Sequence, residues 1–204
     1  ATVLGNSAVV ITDLAVGVHG ITLTVTDNNG AIGVDTVSVS VNPQAPPPSD
    51  IFFDNFQSGF AKWTESNEFD WNPETYAERN IPGYPSTNKV AHADNCTSAG
   101  GCTITMATPI DLTPYSSATL TFWRYVDNDL DAGEFLRVEA YDGTTWNTIK
   151  YWTNGAGDDD TWRKETVNLA GYLGTSNFNL KFTSKQNSYL EETEIDDVLI
   201  KSGS

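Results

Sequence analysis

"GCTITMATPIDL" (residues 101–112) and "ATLTFWRYVD" (118–127) follow one another as strand candidates, each bounded by Gly, Asn, Asp or Pro. Five more of the same kind come after them: "EFLRVEAYD" (134–142), "TWNTIKYWT" (145–153), "WRKETVNL" (162–169), "FNLKFTSK" (178–185) and "TEIDDVLIK" (193–201). From residue 51 onward no stretch carries the 3.6-residue apolar spacing of a helix. Short strands at regular intervals with turn residues between them predict an all-β chain folded as a two-sheet antiparallel sandwich.

Upstream, "NPQAPPPSD" (42–50) is rich in proline and cannot continue a hydrogen-bonded ladder. It divides a Thr/Val/Ser-rich segment without aromatic residues from one that holds every Trp, Tyr and Phe. The expected organisation is a partial β domain over 1–42, a linker over 43–50 and the sandwich over 51–204. Within the first segment, "HGITLTVTDNNGAIGVDTVSVSVNP" (19–43) reads as a hairpin. Ile21, Leu23 and Val25 alternate with threonines, the turn is Asp27-Asn28-Asn29-Gly30, and Val37, Val39 and Val41 alternate with serines. One further strand candidate, "AVVIT" (8–12), precedes it. A cysteine-free segment of this size cannot bury enough surface to fold alone, so the expectation is either that it is trimmed from a longer tandem array or that strands from elsewhere complete it.

Acidic residues outnumber basic ones 27 to 11, for a net charge of −16. Nucleic acid and anionic lipid need a basic footprint and are excluded as partners on that ground. Divalent cations are the natural counter-charge where carboxylates converge; elsewhere the charge is a solvated surface. No apolar run reaches the length of a membrane span, so no membrane insertion is expected. No basic-then-apolar signal opens the chain, and any export signal is expected upstream of Ala1 or removed. Cys96 and Cys102 lie close together in "DNCTSAGGC" (94–102), and with only His19 and His92 besides, soft metal ligands are too few. A local disulfide is expected, and with it an oxidising, extracellular or cell-surface setting. Asn95-Cys96-Thr97 is formally a glycosylation sequon, a weak signal on its own.

Several pieces in order carry a resemblance. "FFDNFQSGFAKWT" opens the segment, "KVAHADN" follows, then "TPIDLTPYSSATLTFWRYV", "TWRKETVNLAGY" and "FNLKFTSKQ…EIDDVLI". Together they resemble the jelly-roll modules of the MAM and cleaved-adhesin (choice-of-anchor) type over 51–201. The single close cysteine pair departs from the MAM pattern and favours the broader prokaryotic group. Residues 1–42, through "VITDLAVGVHGITLTVTDNNGAIGVDTVSVSV", resemble the closing half of a PKD-like or other immunoglobulin-like repeat.

In modules of this type a calcium ion often ties the first strand to the last, and the resemblance points to Asp54, Asp94 and Asp196 or Asp197 as its ligands. The residues agree: Ile195, Val198, Leu199 and Ile200 put apolar side chains on both faces of a strand that also holds two carboxylates. A semi-buried carboxylate needs a cation or several donors. The alternative is that Asp197 accepts backbone N–H groups or pairs with Lys or Arg. The acidic loops at 127–134 and 157–160 have the composition of a second site but lack EF-hand spacing, and read as solvated turns.

Six tryptophans raise carbohydrate stacking as a function. Trp63, Trp123 and Trp162 fall at core positions of the resembled family, and Trp146 sits within a strand pattern. Trp71 and Trp152, with Tyr76 and Tyr84, are the candidates for exposure, in or near the Pro- and Asn-rich segment 64–88, which has no clean strand pattern. Catalysis has the least support: His92 alternates with Val90 as a packed histidine would, and nothing raises Glu191, Glu192 or Glu194 above the other acids. The expected function is a non-catalytic, calcium-stabilised recognition module of a secreted or surface protein, binding extracellular glycan or protein. The alternative is a subunit of an extracellular filament or surface layer that self-associates by strand complementation through residues 1–42.

Overall fold

The computed structural model describes residues 13–41, 49–66, 71–75 and 89–203. They fall into two units, divided between Ala45 and Pro46. The "AVVIT" strand candidate lies outside the described residues.

The first unit is an antiparallel hairpin of β1 (Gly17–Thr26) and β2 (Ile32–Val41), with Ile21 opposite Val37 and His19 opposite Val39. Directly opposed residues share a face, so Ile21, Leu23, Val25, Val37, Val39 and Val41 line one side. Asp27 ties the turn: its Oδ1 accepts the N–H of Asn29 and of Ala31, both at 2.8 Å. Gly30 closes it at φ +86°, a value that a residue without Cβ adopts at no steric cost. On the opposite side the Thr22 and Thr36 hydroxyls hydrogen-bond at 3.1 Å. Leu23, Val25 and Val37 are exposed.

The second unit is a two-sheet sandwich. One sheet has the order β10 (Trp146–Thr153), β9 (Phe135–Tyr141), β12 (Asn179–Lys185), β7 (Cys102–Met106), β4 (Trp63–Glu65). The other runs β11 (Arg163–Asn168), β8 (Ala118–Val126), β13 (Glu192–Ser202), β6 (Lys89–Asp94), β5 (Trp71–Thr75), with β3 (Asp50–Asp54) also on β13. All pairings are antiparallel. The alternating strand phases meet in a core that includes Phe122, Leu136, Val138, Leu180, Phe182 and Ile195. Apart from a 3-10 turn at Ala170–Tyr172, no helix occurs among the described residues.

β13 is the central element. β8 pairs with it along one edge, while β6 and β3 share the other, at Glu192–Ile195 and Val198–Lys201. Between Asp196, opposite Trp123, and Leu199, opposite Thr121, β13 carries one residue more than its partner. Asp197 absorbs the insertion at φ +48°. The bulge shifts the alternation by one, so Ile195, Val198 and Ile200 all reach the core while Leu199 stays half-buried. Apolar residues in both phases of "EIDDVLI" therefore reflect a bulge in a strand with one core face, a correction to the expectation of two apolar faces.

Candidate functional site

The outer face of the first sheet gathers side chains that a core does not need. In β9, Leu136, Val138 and Ala140 point inward, which leaves Phe135, Arg137, Glu139 and Tyr141 on the other phase. Pairing with β10 sets Trp146 opposite Tyr141 and Tyr151 opposite Arg137. The rings form two pairs, Tyr141 with Trp146 and Phe135 with Tyr151, each with centroids 5.3 Å apart. Lys181 Nζ lies 4.4 Å from the Trp146 ring centroid, and the Arg137 guanidinium 5.1 Å from that of Phe135. Between the pairs, Glu139 Oε2 meets Lys181 Nζ at 3.0 Å, Arg137 Nε at 3.2 Å and the Thr183 hydroxyl, which donates to it at 3.3 Å. Trp146 is 36% exposed and Tyr151 48%. Flat apolar rings thus flank a fixed cluster of charges over a span of about 20 Å along β9. Sequence reasoning passed over this face because Trp146 read as one more strand residue. The signal that finds it is the phase of "EFLRVEAYD", where aromatic and charged residues alternate with the aliphatic ones.

The sequence-derived ligand candidates lie elsewhere. Trp71 is 1% exposed, and its Nε1–H donates to the Cys102 carbonyl at 3.0 Å. Trp152 is buried too, with Phe122 edge-on at 6.2 Å and the Arg124 guanidinium 4.4 Å above its ring. Both are core residues, which corrects their reading as the tryptophans exposed for ligand stacking. Pro73 and the shortness of β5 hid a strand inside 64–88; β5 is an edge strand, where proline is tolerated. Tyr76 and Tyr84 lie outside the described residues. Of the three tryptophans placed in the core, only Trp63 is buried there; Trp123 and Trp162 are half-buried and outside the core cluster. Trp123 occupies the phase of β8 that alternates with buried Phe122 and Arg124.

Asp54, Asp94 and Asp196 or Asp197 do not form a group of three among the described residues, because Asp94 lies away from Asp54 along β13. Asp54 is buried, and both its oxygens are engaged: Oδ1 accepts the Phe56 N–H at 2.9 Å and Oδ2 the Trp63 Nε1–H at 2.8 Å. Asp54 stands opposite Val198 and Asp94 opposite Glu192, positions of β13 on the order of 15–20 Å apart. Buried Asp196 accepts the Asp197 N–H on Oδ1 at 2.7 Å. Half-buried Asp197 has its carboxyl pushed up to about 6 by burial.

Two other groups of potential ligands do form. His92, Glu192 and Glu194 each offer an atom within 4.8 Å of the others, on facing positions of β6 and β13. His92 Nδ1 and Glu194 Oε1 are 3.0 Å apart and both side chains are buried, so His92 is the packed histidine its strand position implied, with a carboxylate partner. The second group is Asp131, Glu134 and Glu191. Glu134 is 3% exposed, so the end of the 127–134 loop is not the solvated turn expected from composition.

Cys96 and Cys102 are both buried in the core cluster, and no S–S bond joins them. Buried cysteine packs as a small apolar side chain, and the expected disulfide is corrected accordingly. Asn95 is exposed at φ +48° after β6.

No family model matches the sequence, and no curated protein matches it by sequence. Solved structures do match the fold. The K1 cleaved adhesin domain of Lys-gingipain from Porphyromonas gingivalis W83 is 21% identical, with a TM-score of 0.52 over 75% of this chain and 98% of that one. The K3 cleaved adhesin domain of the same protein is 17% identical, with a TM-score of 0.52 over 76% and 100%. TmCBM61, solved in complex with β-1,4-galactotriose, is 12% identical, with a TM-score of 0.52 over 73% of this chain and 94% of that one. The second unit shares the β-sandwich fold of adhesin and carbohydrate-binding modules.

Proposed function

We propose that the second unit is a non-catalytic recognition module that binds glycan outside the cell through the outer face of β9, β10 and β12. The observation that carries this reading is the exposure of Trp146 and Tyr151 on a sheet face where aromatic pairs flank the Arg137–Glu139–Lys181 cluster. The apolar face of a sugar ring stacks on such rings, and its hydroxyls exchange hydrogen bonds with charged groups held in place. The likeness to adhesin and carbohydrate-binding folds supports the class of function. Isothermal titration against a panel of oligosaccharides is the test. Trp146→Ala is expected to weaken the best ligand at least about tenfold, the cost of one well-placed contact, with little change in the melting temperature. Unchanged affinity in that variant refutes the assignment of the face. A calcium requirement belongs to the same proposal, supported by the charge of −16, and so does an extracellular setting, supported by the likeness to adhesin domains.

A second reading, assembly by strand complementation, is favoured by the hairpin, whose Leu23, Val25 and Val37 lie exposed on one face.

A further inference from the structure

We propose that Asp131, Glu134 and Glu191 form a calcium site that clips the β8–β9 loop to the turn before β13. Their three ligand oxygens lie within 4.8 Å of one another. An ion with metal–oxygen distances of about 2.4 Å spans ligands up to about 4.8 Å apart on its opposite sides. Hard carboxylate oxygens without sulfur or imidazole select a hard cation.

Two independent features distinguish this group from a solvated acidic cluster. Glu134 and Glu191 are 3% and 6% exposed, and no Lys, Arg or His among the described residues forms an ion pair with any of the three. Burying like charges together without a counter-charge is costly. Glu134 Oε2 accepts the Asp131 N–H at 2.6 Å, but its buried Oε1 has no hydrogen-bond partner. A buried carboxylate oxygen left bare beside two further carboxylates is the valence a cation fills. Burial also pushes the Glu191 carboxyl up, and the charges of Glu134 and Asp131 add to the shift.

The surrounding backbone holds the group in place. The Glu134 N–H donates to the Asp131 carbonyl at 3.1 Å, and the Thr153 hydroxyl to the Glu134 carbonyl at 2.7 Å. On the other side the Asn187 N–H donates to Glu191 Oε2 at 3.1 Å. Asp131 is exposed, so water can complete the coordination from its side. None of these residues belongs to the glycan face or to the first- and last-strand aspartates, and the inference stands apart from both.

The test uses the full chain, stripped with EDTA and titrated with calcium chloride by calorimetry and thermal melts. Calcium is expected to raise the melting temperature of the wild-type protein, since an ion bound only by the native state stabilises it. Glu134→Gln keeps an acceptor for the Asp131 N–H and removes one charge. It is expected to weaken calcium at least tenfold while melting in EDTA no lower than wild type. Glu191→Gln is expected to show the same loss, which keeps the test decisive if one variant does not fold. Asp197→Asn should retain the site. A wild-type melt indifferent to calcium, or a full calcium response in both glutamine variants, overturns the proposal.

Discussion

Asp197 shows how much one residue of "EIDDVLI" holds. A pair of aspartates in an apolar strand marks the position as unusual from sequence alone, and the structure gives the reason: Asp197 sits in the bulge at φ +48°, half-buried. Aspartate and asparagine enter the left-handed region more readily than most residues. What the sequence cannot convey is which of the two aspartates is inserted, because the extra residue exists only relative to β8. Burial raises the Asp197 carboxyl from 3.8 to about 6. A folded-state value above the unfolded one favours the fold fully below about pH 4, and this contribution is lost as pH rises through 6. With the carboxylate half in water, the neutral-pH penalty is discounted to roughly 1 kcal/mol. Asp197→Asn is therefore expected to stabilise the calcium-free protein by about that amount at pH 7 and hardly at all at pH 4, in urea unfolding. An equal gain at both pH values would rule out burial of the charge as the cause. If calcium binds where the first and last strands meet, adding it should erase the advantage of the variant.

At the scale of the element, β7 to β13 correspond to the seven strand candidates, because their period-2 patterns and turn residues are local properties. β8 contains a residue that its pattern cannot explain. Arg124 lies on the inward phase with Phe122 and Val126 and is 3% exposed. Its Nε donates to Glu165 Oε1 at 3.0 Å, its Nη1 to the Gly157 carbonyl at 2.8 Å, and its plane covers the Trp152 ring. Glu165 also takes Lys150 Nζ at 2.9 Å, so the network joins β8 and β11 to β10 in the opposite sheet. Gly157, at φ +90°, passes so close to Trp152 that a Cβ there would stand 2.4 Å from Cδ1. Tertiary partners from three segments place this charge, which is why the sequence reading left Trp152 among the exposed candidates. Arg124→Ala is expected to cost about 3–5 kcal/mol, since it opens a cavity over Trp152 and leaves Glu165 with Lys150 as its cation. Arg124→Met, which fills the space without charge, should recover a substantial part of that loss. Chemical denaturation of both variants measures the difference. Equal destabilisation would mean that the ionic contacts, rather than the packing, hold this end of the sandwich.

Across the whole molecule, the boundary between an aromatic-free segment and an aromatic-rich one was legible because composition changes abruptly at the proline-rich stretch. What covers the hairpin was not legible, since period-2 patterning names the apolar face but not its partner. Leu23 is 62% exposed, and Val25 and Val37 are each 56% exposed. Val18, Ile32 and Val34 are exposed on the other face; two strands alone are marginally stable in water, and rows of β-branched residues invite pairing with another sheet. If strands of a second copy supply the missing layer, light scattering of the full chain should show association that grows with concentration. Residues 51–204, which carry their own core, should stay monomeric over the same range. Leu23→Lys combined with Val37→Lys places two charges on the apolar face and should return the full chain to a monomer without lowering the melting temperature of the sandwich. The competing arrangement is that the hairpin is satisfied within its own chain. It requires a monomeric full chain whose amides at 21–25 and 37–41 are protected from hydrogen exchange, and this result would defeat the intermolecular reading, because protection without association leaves no role for a second copy.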